Sequence, residues 1–413
     1  MTKKRGSSSS RKTTRSKKSS GSALSRLLVF ILIIGALFIG NQLGLIDVNW
    51  QELLEGDLQA VLTGDEAATA GQPAEPANES ASTQPVVAQP VSGEWYRLYF
   101  TSPQFPDEPA TRVDTISPGL IEVVNSAQKS LDIAIYELNL EPVGDAILAA
   151  RDRGAAVRIV TDSDELEELE TLIRLEEEGI PIIPDERSAI MHNKFVVVDG
   201  QAVWTGSWNF TPNDTFRNNN HGIYIQSPEL AQNYTTEFEE MFNDQAFGPT
   251  SPANTPYPQI QLGDTLLETC FAPEDDCADQ LIQLINQAQR TIHFMAFSFT
   301  HVGVGDAVRD RASAGVEVRG VFERRGSETE HSELGAMRDM KLDTLQDGNP
   351  YTLHHKVFVV DGAIVVLGSF NFSQNADEAN DENLLIIHNN ALANEFLGEF
   401  ERVYAQAQNP PNE

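Results

Sequence analysis

Cysteine is nearly absent: Cys270 and Cys277 are the only two in 413 residues. This excludes a disulfide-built scaffold and a cysteine-only zinc site. Basic residues are also scarce, 29 Lys and Arg against 61 Asp and Glu, giving a formal net charge of −32. A chain this acidic is not a general polyanion binder. His221, His293, His301, His331, His355 and His388 lack metal-ligand spacing and read as incidental. The clustered carboxylates and histidines of a metal-dependent phosphatase are missing as well. Hydrophobic residues, by contrast, make up 40% of the chain. That is enough to build a core, and the length suggests two or three domains.

The few basic residues are unevenly spread. Nine of the 29 fall in residues 1–26, where there is no acid. Leu27 to Ile46 then runs without a charge, long enough to span a bilayer as a helix. The positive tail predicts a cytoplasmic N-terminus, a single membrane anchor over 27–46 and a body outside the membrane. A cleaved signal peptide is the alternative reading, but the basic region is long and no clear small-x-small site follows. Residues 47–93, rich in Pro, Ala, Ser, Gln and Glu, read as a disordered linker.

From Glu94 onward the pattern is that of an α/β protein, and it occurs twice. GLIEVVNSAQ, SLDIAIYEL, VGDAILAARDRG and AVRIVTD alternate helix and strand. DQLIQLINQAQ, TIHFMAFSF, VGDAVRDRASAG and VEVRGVF repeat that order. Each half then reaches a near-identical stretch, MHNKFVVVDGQAVWTGSWNFT and LHHKVFVVDGAIVVLGSFNFS, offset by 162 residues. So long an offset means a duplicated domain and not a solenoid. The halves are expected at 94–247 and 259–408, joined by a seam at 248–258. The expected fold is two α/β sandwich domains packed about a pseudo-two-fold axis.

Asp199-Gly200 and Asp361-Gly362 are hairpin turn signals. Simple pairing about them sets Lys194 opposite Thr205 and His192 opposite Ser207, with His354 opposite Ser369. His192, Lys194, Ser207 and Asn209 then share one face, as do His354, Lys356, Ser369 and Asn371. Such a set suits phosphodiester chemistry. Lysines, serines and asparagines offer charge and hydrogen bonds to phosphate oxygens, and two histidines can divide nucleophile and acid roles.

Both stretches resemble the phospholipase D superfamily motif, His-x-Lys-x4-Asp-x6-Gly-Ser-x-Asn. Every fixed position is present twice: His192, Lys194, Asp199, Gly206, Ser207 and Asn209, then His354, Lys356, Asp361, Gly368, Ser369 and Asn371. The resemblance implies a metal-independent phosphodiesterase with a phosphohistidine intermediate and no cofactor. It makes His192 and His354 the nucleophile and general acid, Lys194 and Lys356 the phosphate grip, and the Ser and Asn residues its support. In the family an acidic residue beyond the Gly-Ser-x-Asn segment orients the histidine of its own half. Glu382 fits this for His354, while the same offset in the first half gives Asn220. Since Glu382 beside His354 would favour imidazolium there, His192 is expected to attack and His354 to act as acid.

Asp199 and Asp361 read as turn residues, Gly206 and Gly368 as close-approach positions, and Trp208 and Phe370 as core or substrate-path side chains. The acidic runs DSDELEELE and RLEEEG read as solvated helix faces. Cys270 and Cys277 are able to form a small disulfide outside the cell. Phospholipid is the expected substrate, because of the anchor and the acidic body. A surface endonuclease is the alternative enzyme, and a non-catalytic phosphate-binding module is the reading from another class. Glycosylation sequons fall on Asn209 and Asn371, so a bacterial surface is expected. No obligate protein partner is called for.

Overall fold

The computed structural model describes residues 91–411. The tail, the anchor and all but the last three linker residues lie outside them. Among the described residues no helix is long and apolar enough to cross a membrane. Val91–Ser92 pairs with Arg97 and Leu98 as an edge strand, so the sheet starts before Glu94.

Each half builds one eight-stranded sheet, and the two sheets have the same strand order. The first runs Val91–Ser92, Tyr96–Phe100, His221–Gln226, Ala202–Gly206, Lys194–Val198, Ser130–Ile135, Ala156–Thr161 and Ile182–Pro184. The second runs Gln259–Leu262, Thr265–Ala272, Glu382–His388, Ile364–Gly368, Lys356–Val360, Thr291–Ala296, Glu317–Phe322 and Asp343–Gln346. The central strands read as near-continuous apolar runs because both faces of each sheet are covered. Alternate residues divide between layers. Phe195, Val197 and Val203 join Val357, Val359 and Leu385 in one core shared by both halves. Val196, Val198 and Trp204 face a separate core under the helices Ser117–Ser126 and Glu141–Asp152. The helices Pro228–Glu239 and Asn390–Gln408 send Tyr234, Phe238, Phe396 and Phe400 into the shared core.

The hairpin register differs from simple pairing by one residue. Phe195, not Lys194, lies opposite Thr205, and Val198 pairs with Ala202. The turn at Asp199-Gly200 does form, with φ of 54° and 66° and Gln201 N–H donating to the Val198 carbonyl. Gln201 is then left over, and pairing resumes after it. The second half repeats this, with Val360 opposite Ile364. A one-residue slip exchanges faces, so Ser207 and Ser369 leave the face expected for them.

Candidate active site

Two short crossed pairings bring the halves together. Met191 bridges Asp381, with His192 N–H donating to the Asp381 carbonyl at 2.9 Å. Reciprocally, Thr352–Leu353 pairs in parallel with Asn218–Asn219, and His354 N–H donates to the Asn219 carbonyl at 3.0 Å. Each histidine therefore meets the residue that follows the bridge in the other half. Glu382 carboxylate oxygens lie 2.7 and 2.8 Å from His192 Nδ1. Asn220 Oδ1 lies 2.9 Å from His354 Nδ1. This corrects the expectation that Glu382 serves its own half. Spacing along the chain gives a residue's distance from the motif, and the crossed bridges decide which histidine it reaches.

The serines stand behind this layer. Ser369 donates to Glu382 at 2.7 Å and Ser207 to Asn220 at 2.8 Å, both wholly buried. They fix the carboxylate and the amide that hold the two histidines. Lys194 Nζ and Lys356 Nζ donate to the carbonyls of His192 and His354 at 2.9 and 3.0 Å. Asn209 and Asn371 each keep a buried Oδ1 without a partner. Asp199 and Asp361 are turn residues as read. Asp199 accepts from the backbone N–H of Gln128, Lys129 and Ser130, and Asp361 from those of Gln289, Arg290 and Thr291. Gly206 and Gly368 have φ of 147° and 146°, and a Cβ on either would lie 2.4 or 2.2 Å from the carbonyl oxygen of His221 or Asn383. Trp208 and Phe370 are core, 1% exposed. Cys270 and Cys277 form a disulfide.

Several neighbours escaped the sequence reading. Tyr136 stands edge-on to His192 at 5.4 Å, and Phe297 stands edge-on to His354 at 4.7 Å. The same rings lie 5.3 and 4.6 Å from Lys194 Nζ and Lys356 Nζ. Both directly follow equivalent buried strands, Ser130–Ile135 and Thr291–Ala296, so the repeat itself held the signal. Asp214 is 3% exposed, accepts from Asn220 Nδ2 at 3.0 Å and lies 3.6 Å from His354 Nδ1. Ala376 holds the equivalent place in the second half, so no repeat pointed to Asp214. His221 and His355 are not incidental. Their rings stack, with Nδ1 atoms 3.0 Å apart, next to Ser207. Asp162 belongs to an acidic run but is buried, and accepts from Met191 N–H beside His192.

Burial sets the charge state. It pulls His192 down to about 4 despite Glu382, with Lys194 and Lys356 adding to the effect. Burial and the two lysines also hold His354 well below the usual imidazole range. Lys194 is lowered to about 8, and Lys356 is lowered well below its ordinary value by burial and by Lys194. Both rings are therefore neutral in the free site. With Nδ1–H donated to Glu382, His192 keeps its lone pair on Nε2.

The family described as "Cardiolipin synthase, PLD-like domain" matches residues 120–242 and again 281–404. A phospholipase D from Rickettsia prowazekii is 29% identical over 176 residues, 43% of this chain and 82% of that protein. A mitochondrial cardiolipin hydrolase from Xenopus tropicalis is 31% identical over 139 residues, 33% of this chain and 66% of that protein. The phosphatidylserine synthase of Haemophilus influenzae, 13% identical, shares the fold over 75% of this chain and 88% of its own, with a TM-score of 0.56. With two matched domains covering more than half its length, and a complete motif in each, the chain belongs to the phospholipase D-like family.

Proposed function

We propose that the protein is a phosphodiesterase that hydrolyses phospholipids through a phosphohistidine. The observation that carries this reading is the pairing of His192 with Glu382 and of His354 with Asn220 beside two lysines. In the first step His192 Nε2 attacks phosphorus, and the bond to the leaving oxygen breaks. Positive charge grows on the His192 ring, and the Glu382 carboxylate stabilises it. His354 has only an amide at Nδ1, so its imidazolium form is held weakly and gives its proton readily to the leaving alkoxide. It takes that proton from solvent as the phosphate anion enters and favours the charged ring. In the second step water attacks the phosphohistidine and passes a proton to His354, and the N–P bond breaks. His192 thus keeps the attacking role on a ground opposite to the one expected from the sequence. Lys194 and Lys356 balance the phosphate oxygens throughout.

Lipid is favoured over nucleic acid because the site's positive charge is local. Glu382, Glu137, Asp214 and Glu165 all bear on Lys194, within a chain of net charge −32. A long polyanion meets repulsion there. Similarity to proteins called phospholipase D and cardiolipin hydrolase supports the same choice. In this reading residues 27–46 anchor the chain beside its substrate, with the body outside a bacterial cell. External protease should then remove the body from intact cells.

The test is to incubate the purified full chain with phosphatidylcholine, phosphatidylethanolamine and cardiolipin vesicles, and in parallel with single-stranded and plasmid DNA, EDTA present throughout. Head-group release with intact DNA is expected. DNA cleavage with unchanged vesicles would establish the endonuclease reading instead.

A further inference from the structure

The duplication continues behind the histidines, and there the two halves differ in charge. In the second half His355 Nε2 lies 3.0 Å from Glu399, and Arg402 clasps the same carboxylate with bonds of 2.6 and 2.8 Å. Displacing these residues by 162 gives Asn193, Glu237 and Glu240. Asn193 Nδ2 donates to Glu237 at 3.2 Å, so the hydrogen bond is retained. The guanidinium is replaced by a carboxylate.

A third carboxylate, Glu274, arrives from the second half, in the loop between strand Thr265–Ala272 and helix Cys277–Gln287. One oxygen from each of Glu237, Glu240 and Glu274 lies within 4.8 Å of the other two. Glu240 is 5% exposed, and its Oε2 has no hydrogen-bond partner. Oε2 of Glu274 is likewise buried and unpartnered. The acids Glu274, Asp381 and Glu240 all bear on Glu237. Three carboxylates thus converge, with two oxygens unsatisfied, where the other half places a cation.

We propose that Glu237, Glu240 and Glu274 bind one calcium ion, in the place that the Arg402 guanidinium fills in the second half. The donors are all carboxylate oxygens, which select a hard cation over zinc. Oxygens within 4.8 Å of one another can share one calcium at ~2.3–2.6 Å, and calcium tolerates the irregular geometry that magnesium does not. The ion would join helix Pro228–Glu239 of the first half to the disulfide-closed loop of the second. Through Glu237 and Asn193 it would also brace the segment between His192 and Lys194. It lies behind the histidines and takes no part in the phosphoryl chemistry, so the proposal is independent of the substrate.

The experiment uses the full chain, stripped with chelator and desalted. Equilibrium dialysis against calcium should retain one ion per chain. Excess calcium should raise the melting temperature by about 4 °C over EDTA. Glu240→Gln should lose that response. Glu240→Arg, which rebuilds the second-half pair, should lose it too while melting in EDTA no lower than the wild type. Wild-type protein that retains no calcium would overturn the proposal and leave the carboxyls sharing protons; this arm needs no variant to fold. An unchanged calcium response in Glu240→Gln would place the ion elsewhere, and a response to magnesium alone would exclude calcium.

Discussion

Glu382 in the second half of the chain holds His192 in the first, with 2.7 Å between carboxylate and Nδ1. The reciprocal contact, Asn220 to His354, has no charge. One composite site therefore contains two chemically unequal imidazoles, and the inequality is set across the interface.

Glu382→Gln should lower kcat on the order of 10²-fold, because a neutral amide cannot stabilise the charge that grows on His192. Asn220→Ala should cost on the order of tenfold, since it loosens His354 without removing a charge. Equal losses, read by steady-state kinetics of both variants, would argue that the two partners only orient rings.

Phosphoenzyme trapping separates the roles directly. With a substrate whose leaving group needs no proton, His354→Ala should accumulate acid-labile label on His192. His192→Ala should accumulate none. Label on His354 in the second variant would reverse the assignment and show that the carboxylate serves the acid.

The pH dependence of kcat/KM follows from the free site. His192, lowered to about 4, must be neutral to attack, so the rate should rise as pH passes upward through about 4. The lysine pair must carry charge to grip phosphate, and Lys194 is lowered to about 8. His354 must also gain a proton to act as acid, and burial holds it well below the usual imidazole range. So kcat/KM should begin to fall on the acid side of neutrality. It should fall further through about 8 as Lys194 loses its charge, with the apparent values belonging to coupled groups. A profile flat well above pH 8 would contradict the charge state derived for the lysines.

Gly206→Ala should destabilise the fold by about 3 kcal/mol. Its φ is 147°, and the added Cβ would meet the His221 carbonyl oxygen at 2.4 Å. Gly200→Ala, at φ of 66° with open space around it, should cost only about 1 kcal/mol of backbone strain. Urea unfolding of both variants checks the ratio. Similar values would mean that the close approach at Gly206 relaxes freely.

The sequence by itself determined the local and the repeated. Apolar periodicity and turn residues placed the strands Ser130–Ile135 and Thr291–Ala296 and the helices beside them, since these depend on neighbours along the chain. The doubled motif named His192, Lys194, His354 and Lys356, because the same chemistry stands twice at one offset. Tertiary structure decided the rest. The left-over Gln201 and, in the second hairpin, Ala363 moved Ser207 and Ser369 off the face expected for them, and hairpin register depends on a single residue. Asp214 has no counterpart in the second half, so the repeat could not reveal it. The pairing of Glu382 with His192, and of Glu237 and Glu240 with Glu274, joins residues far apart in sequence. Chain spacing has no term for the packing of one half against the other, and that packing is what brings these groups into contact.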